Sequence, residues 1–129
     1  MTQEKQIDQF LEKAVARNLL EEAKRQSSVV CSAEAGNTVI FASDAFEAHT
    51  GYSVKEIIGK NLSILQGPKT EPESVAKFRQ LITDCEAGVI RITNYHKDGS
   101  LFVHECDFRP VRDHDNKVSH FIAIQRLVG

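Results

Sequence analysis

Three β-rich stretches close this chain, at residues 89–96, 101–111 and 117–127, and what joins them constrains the fold more than any other feature. Lys97-Asp98-Gly99-Ser100 is a tight hairpin sequence, and Arg112-Asp113-His114-Asp115-Asn116 is a longer polar turn. Turns this short join antiparallel neighbours. Two further β-rich runs, 27–31 and 38–42, are linked by Ala33-Glu34-Ala35-Gly36-Asn37, a connection with hairpin character. Between the two groups lie helical segments only. Ser43 or Asp44 caps a short helix through Ala45–His49, Gly51-Tyr52-Ser53 breaks it, and Ser53-Val54-Lys55-Glu56 is a capping-box pattern. The longest internal helix is expected over 71–86, with Val75, Phe78, Leu81 and Ile82 on one face. The order is two strands, helices, then three strands: an α+β class with helices on one face of a five-stranded antiparallel sheet.

Strand side chains alternate between faces, so one assigned residue fixes its neighbours. If Asn94 faces the helices, Ile90 and Ile92 do too, while Arg91, Thr93 and Tyr95 face out. Phe102, His104, Cys106 and Phe108 share the inner face of the next strand, and Phe121, Ala123 and Gln125 that of the last. The inner set is apolar except for Asn94, His104, Cys106 and Gln125. Four polar groups directed into one core from three strands exceed what a packing core holds without a guest. The outer set keeps Val103, Ile122, Ile124 and Tyr95, which calls for a cover over the back of the sheet.

Residues 1–26 supply a candidate cover. Ile7, Phe10, Leu11, Ala14, Val15 and Leu19 recur at helical spacing, with charged residues at most other positions. This amphipathic helix either packs on its own domain, residues 27–129, or pairs with a second copy. The rest of the composition excludes more than it suggests. A chain of 129 residues fits one domain. Its net charge of −2 gives no argument for nucleic acid. Three cysteines, Cys31, Cys85 and Cys106, form neither a disulfide framework nor a zinc spacing, which fits reduced thiols and a cytoplasmic location. The histidines at 49, 96, 114 and 120 are scattered without ligand spacing, so no metal site is expected. No apolar run approaches the ~20 residues of a membrane span. No acid–base pair, triad or nucleotide loop argues for an enzyme.

One stretch remains, Gly59-Lys60-Asn61-Leu62-Ser63-Ile64-Leu65-Gln66-Gly67. It sets two carboxamides among aliphatic side chains, where each needs a partner: protein groups, or a planar heterocycle with imide and carbonyl edges. The stretch resembles the flavin-binding loop of LOV domains, the blue-light-sensing branch of the PAS family, whose pattern is Gly-x-Asn-Cys-Arg-Phe-Leu-Gln-Gly. The match is at Gly59, Asn61, Leu65, Gln66 and Gly67. Leu62 stands at the cysteine and Ser63 at the arginine, so the photochemical nucleophile and one phosphate ligand are missing. Similar text recurs at Ile40–Asp44, Thr50-Gly51-Tyr52, Asn94-Tyr95, Lys97-Asp98-Gly99 and Phe121–Gln125.

The resemblance implies a PAS/LOV fold that binds flavin, FMN or else riboflavin or FAD. Asn94, His104 and Gln125 would hydrogen-bond the ring, with His104 replacing an asparagine. Asn61 and Gln66 would contact the ribityl chain and ring edge, and Arg79 the phosphate. Leu62, Phe108 and Phe121 complete the expected pocket. Without a thiol at position 62, light would drive photoreduction with N5 protonation, read by Gln125. Alternatively Cys106, on the pocket face, would form the adduct, with Cys31 a weaker candidate. The competing expectation is a flavin-free PAS domain used for dimerisation or protein interaction. A homodimer through the N-terminal helix and outer sheet face, and an output lying outside this chain, complete the reading.

Overall fold

The computed structural model describes Glu21 and residues 25–128, and the expected N-terminal helix lies outside those residues. Five strands form one antiparallel sheet: β1 (Ser27–Ser32), β2 (Val39–Ala42), β3 (Gly88–Tyr95), β4 (Leu101–Arg112) and β5 (Val118–Leu127). Their spatial order is β2-β1-β5-β4-β3. The two C-terminal hairpins thus make three of the five strands, and β1 inserts against β5 with Ser27 opposite Gln125 and Cys31 opposite Phe121. Bulges fall at Val30/Cys31 and at Val111/Arg112.

The chain leaves the sheet at one edge, β2, and must return at the other, β3. It makes that crossing with α1 (Asp44–Thr50), α2 (Val54–Ile57), a 3₁₀ turn (Leu62–Leu65) and α3 (Pro72–Asp84). Each start is specified locally. The Ser43 hydroxyl accepts from Phe46 N at 3.2 Å and donates to Gln26 O at 2.7 Å, tying α1 to the approach of β1. Ser53 and Glu56 form the expected capping box on α2. Pro72 sits in the first turn of α3, where its missing N–H costs nothing. Gly51 ends α1 at φ 83°, a left-handed conformation that favours glycine.

The crossing segments bury Phe46, Ile57, Leu65 and Leu81 against Ile90, Ile92, Cys106, Phe108, Phe121 and Ala123 of the sheet. The expected parity of the three long strands is therefore realised. On the opposite face Ile122 and Ile124 are also buried. Thr93, expected on the outward face, is buried. It lies on the edge strand, where Glu71 reaches over to accept from its N–H and its hydroxyl, both at 2.8 Å, and buries it. No helix among the described residues is long and apolar enough to cross a membrane.

Candidate functional site

A cavity of about 350 Å³ lies between the sheet and the crossing segments, within the usual size range of small-molecule sites. Its floor is built by the sheet, from Ile92 and Asn94 of β3, His104, Cys106 and Phe108 of β4, and Phe121 and Gln125 of β5. Leu62, Leu65, Val75, Phe78 and Ile82 form the walls, and Asn61, Ser63, Gln66 and Arg79 the mouth. All ten sequence-expected site residues border this one space. Cys31 borders it too, as does Asn37, which the sequence reading did not single out. Asn37 follows Gly36 at the hairpin tip with a left-handed φ of 44°, and the sequence marks it only as a turn residue.

The aromatic part of the floor is rigid. Phe108 and Phe121 stack at 4.9 Å with planes 16° apart, and Phe78 of α3 meets Phe108 edge-on at 5.6 Å. The polar part is bonded across strands. His104 Nε2 lies 2.7 Å from Asn94 Oδ1, and Asn94 Nδ2 donates to Thr93 O at 3.1 Å. A carbonyl oxygen only accepts, so His104 carries its proton on Nε2, and Nδ1 is buried without a partner. Burial, with the His49 ring nearby, pulls the His104 pKa down to about 4, so the ring is neutral at pH 7. Gln125 Oε1 accepts from Ser27 Oγ at 3.1 Å, which orients the amide and leaves its NH2 for the cavity.

The thiols are ordinary buried ones. Burial raises Cys31 to about 12, and burial followed by the Cys31 and Asp107 charges raises Cys106 further. Both are protonated at neutral pH.

The mouth differs from expectation. The sequence sets Asn61 and Gln66 among aliphatic groups, but both carboxamide residues are exposed. Asn61 caps the 3₁₀ turn, accepting from Ser63 N at 2.8 Å and donating to Gly36 O at 2.8 Å. Gln66 ends that turn through its backbone N–H to Ser63 O. The loop then presses on β3: a Cβ on Gly67 would lie 2.3 Å from the Tyr95 ring, so only glycine fits without displacing it. Thr70 Oγ1 donates to Thr93 O at 2.7 Å and Tyr95 Oη accepts from Lys69 N at 2.9 Å, fixing the loop against the strand. Arg79 is exposed on α3 and is the one Lys or Arg side chain bordering the cavity among the described residues; no carboxylate borders it.

A second departure concerns the histidines. Read as scattered, His49 and His96 are brought together with His104 around Phe102, with ring centroids 4.9, 4.3 and 5.1 Å from it. Strand parity had already placed Phe102 and His104 together; the missing information was how α1 docks. No cluster among the described residues has the composition to hold a metal ion.

The arrangement suits a flat, largely apolar ring bearing an imide edge. Stacked phenylalanines and aliphatic walls line the space, while Asn94 and Gln125 offer donors and acceptors from one side, with His104 bonded to Asn94. The family model described as a PAS domain matches residues 26–126, and the chain belongs to the PAS domain family. Its relatives include proteins named as blue-light receptors. It is 36% identical over 118 residues to the bacterioopsin transcriptional activator of Halobacterium salinarum, covering 92% of this chain and 18% of that one. Phototropin-2 of Oryza sativa subsp. japonica is 40% identical over 87 residues (67% of this chain, 10% of the relative). The blue-light photoreceptor of Listeria monocytogenes is 38% identical over 92 residues (71% and 36%). This chain thus spans 10–36% of the length of those relatives. Among solved structures, the LOV domain of the Erythrobacter litoralis EL346 blue-light activated histidine kinase superposes with a TM-score of 0.76 at 33% identity, covering 81% of this chain and 96% of that one. The light-state structure of the blue-light photoreceptor Aureochrome1 LOV gives 0.78 at 31% identity, covering 87% and 88%.

Proposed function

We propose that this domain is a flavin-binding LOV module, sensing blue light or redox state, in a variant whose photoactive cysteine is replaced by Leu62. The observation that carries the reading is the cross-strand polar edge of Asn94, His104 and Gln125 beside the stacked pair Phe108–Phe121 in one cavity. The similarity to blue-light receptors supports the same ligand class. Bound flavin would supply absorption of blue light and a reducible ring. The chain would supply the rest. Asn94, oriented by its bond to His104, holds the imide edge, Phe108 and Phe121 support the ring, and Leu62 covers it without offering a thiol. Asn61 and Gln66 guard the ribityl side and Arg79 receives a phosphate. FMN fits this set, with riboflavin or FAD as the other flavins.

Gln125 is the reporting residue. Its Oε1 is tied to Ser27, the first residue of β1, so rotation of the amide would release the point at which residues 1–26 join the sheet. That segment, proposed as a helix on the outer sheet face, would carry the signal to a second copy or to an effector outside this chain, in the cytoplasm. Cys106 is the thiol facing the ring from the strand side and the proposed alternative site of adduct formation. A second reading, a flavin-free PAS domain serving dimerisation, is favoured by the way Asn94 and His104 satisfy one another at 2.7 Å.

The visible spectrum of the purified chain, before and after blue light, decides among these. A flavin band that survives illumination with its fluorescence supports the adduct-free module. Reversible bleaching that Cys106→Ala abolishes would make Cys106 the nucleophile. No band even after adding FMN leaves the dimerisation reading. In the flavin-loaded protein, Gln125→Leu should keep the band and blunt any light-induced change in residues 1–26.

A further inference from the structure

The described residues hold two buried side-chain polar atoms without a hydrogen-bond partner, and they belong to neighbouring rings: His49 Nε2 and His104 Nδ1. The ring centroids lie 5.6 Å apart, with planes tilted by 33°. Phe102 packs against both rings near perpendicular, at 78° and 71°. The state of one ring is already determined, because Asn94 Oδ1 requires the proton of His104 on Nε2. Nδ1 is therefore a bare acceptor in an apolar setting, and His49 Nε2 is the orphan nitrogen beside it.

We infer that His49 is a positioning residue for the cavity's polar edge: its Nε2–H engages His104 Nδ1 through one bridging water and so reinforces the Nε2–H tautomer that Asn94 selects. The inference rests on the flavin reading only in treating the Asn94–His104 edge as the ligand's edge. With His104 held in one tautomer, Asn94 keeps one lone pair and one N–H, the adjacent acceptor and donor that a neutral imide requires. Loss of the His49 proton donor would let His104 exchange tautomers and turn an acceptor toward Asn94 Oδ1, which cannot answer it.

The titratable groups bearing on the pair are few. His96, at the end of β3, lowers His49, and His49 lowers His104, in each case after burial. Two carboxylates on the helical side are engaged elsewhere: Glu47 accepts from Val54 N and Glu56 binds Lys97. Asp98, in the turn after β3, responds to His96.

The test is ¹⁵N ring chemistry of His104 across pH in the full chain without ligand, for the native protein, His49→Phe and His49→Gln. The native ring should be a single Nε2–H tautomer that stays neutral below the ordinary histidine range. His49→Phe should mix the tautomers and raise the His104 pKa. His49→Gln, which returns an uncharged N–H, should restore one tautomer and the low pKa. A native ring of mixed tautomer overturns the inference, as does a glutamine variant that titrates like the phenylalanine one, since only like-charge repulsion would then be at work. If the phenylalanine variant does not fold, tautomer mixing in the glutamine variant alone overturns it, and retention supports it. A subsequent FMN titration of the same sample keeps the two ideas separate: absence of binding removes the flavin reading and leaves the ring pair as measured.

Discussion

The floor and the mouth of the cavity are built by opposite rules. On the floor, Asn94, His104, Cys106 and Gln125 are buried, and their neighbours are dictated by strand register. At the mouth, Asn61, Gln66 and Arg79 are exposed, and Asn61 is occupied in shaping the loop that carries it. The floor's polar groups are oriented by strand register and by their own hydrogen bonds. The mouth is a set of groups available to a ligand but not organised by burial. Recognition of the ring should accordingly be coupled to folding stability, and recognition of the tail should not.

The largest effect should come from the floor's aromatic pair. Phe121 is 2% exposed and stacks on Phe108. Phe121→Ala should cost about 3–5 kcal/mol by denaturant unfolding, from lost burial and the void left behind, and should abolish flavin retention. A loss below about 1 kcal/mol would mean that the crossing segments collapse onto the sheet, and that the floor is less rigid than its packing implies.

Next is acid. The His104 pKa falls from an ordinary 6.5 to about 4, chiefly by burial, so between those values the unfolded chain binds the proton that the folded chain refuses. Stability is then complete above pH 6.5 and is lost as pH falls toward 4, by at most about 3 kcal/mol. His49 and His120 are lowered too and act in the same direction. The lowered carboxylates Glu56 and Glu71 start from an ordinary value of 4.5, so the interval from 4.5 to 6.5 reports mainly histidine. Unfolding free energies measured across that interval should slope upward with pH. His104→Asn should flatten the slope, and an unchanged slope would mean that His104 is more hydrated than its burial indicates.

The same contrast explains what was legible in the sequence. Period-two alternation forced Asn94, His104, Cys106 and Gln125 onto one face, and once the hairpin turns set the register they had to converge. The loop obeys no such rule. Asn61 matches a ligand-binding pattern, yet a carboxamide before a helical turn is also a capping residue, and only the folded loop decides which bonds it makes. The histidine group was hidden for a different reason. His49 reaches His104 because α1 docks on β1, a tertiary contact with no counterpart in residue spacing.

Smaller effects test the mouth. Asn61→Ala removes a cap to Ser63 N and a bond to Gly36 O, and should cost about 1 kcal/mol of stability. If Asn61 serves mainly as that cap, FMN and riboflavin should weaken together in this variant. A stability change near zero, with selective loss of one flavin, would make Asn61 a ligand residue first.

Arg79→Ala should be the mildest change to the fold, within about 0.5 kcal/mol, because the side chain is exposed and its removal leaves no buried partner unsatisfied. Its effect should instead fall on the phosphate. An ion contact at an exposed mouth is worth about 1 kcal/mol or less, and is weakened further by salt. FMN affinity should therefore drop several-fold at low salt while riboflavin affinity stays the same, and the difference should shrink as salt is added. With Ser63 in place of a second arginine, no other Lys or Arg side chain bordering the cavity among the described residues compensates. Equal losses for both flavins would mean that Arg79 supports the wall beside Phe78 and Ile82 through its aliphatic stem. The mouth would then belong, like the floor, to the part of the site built by packing.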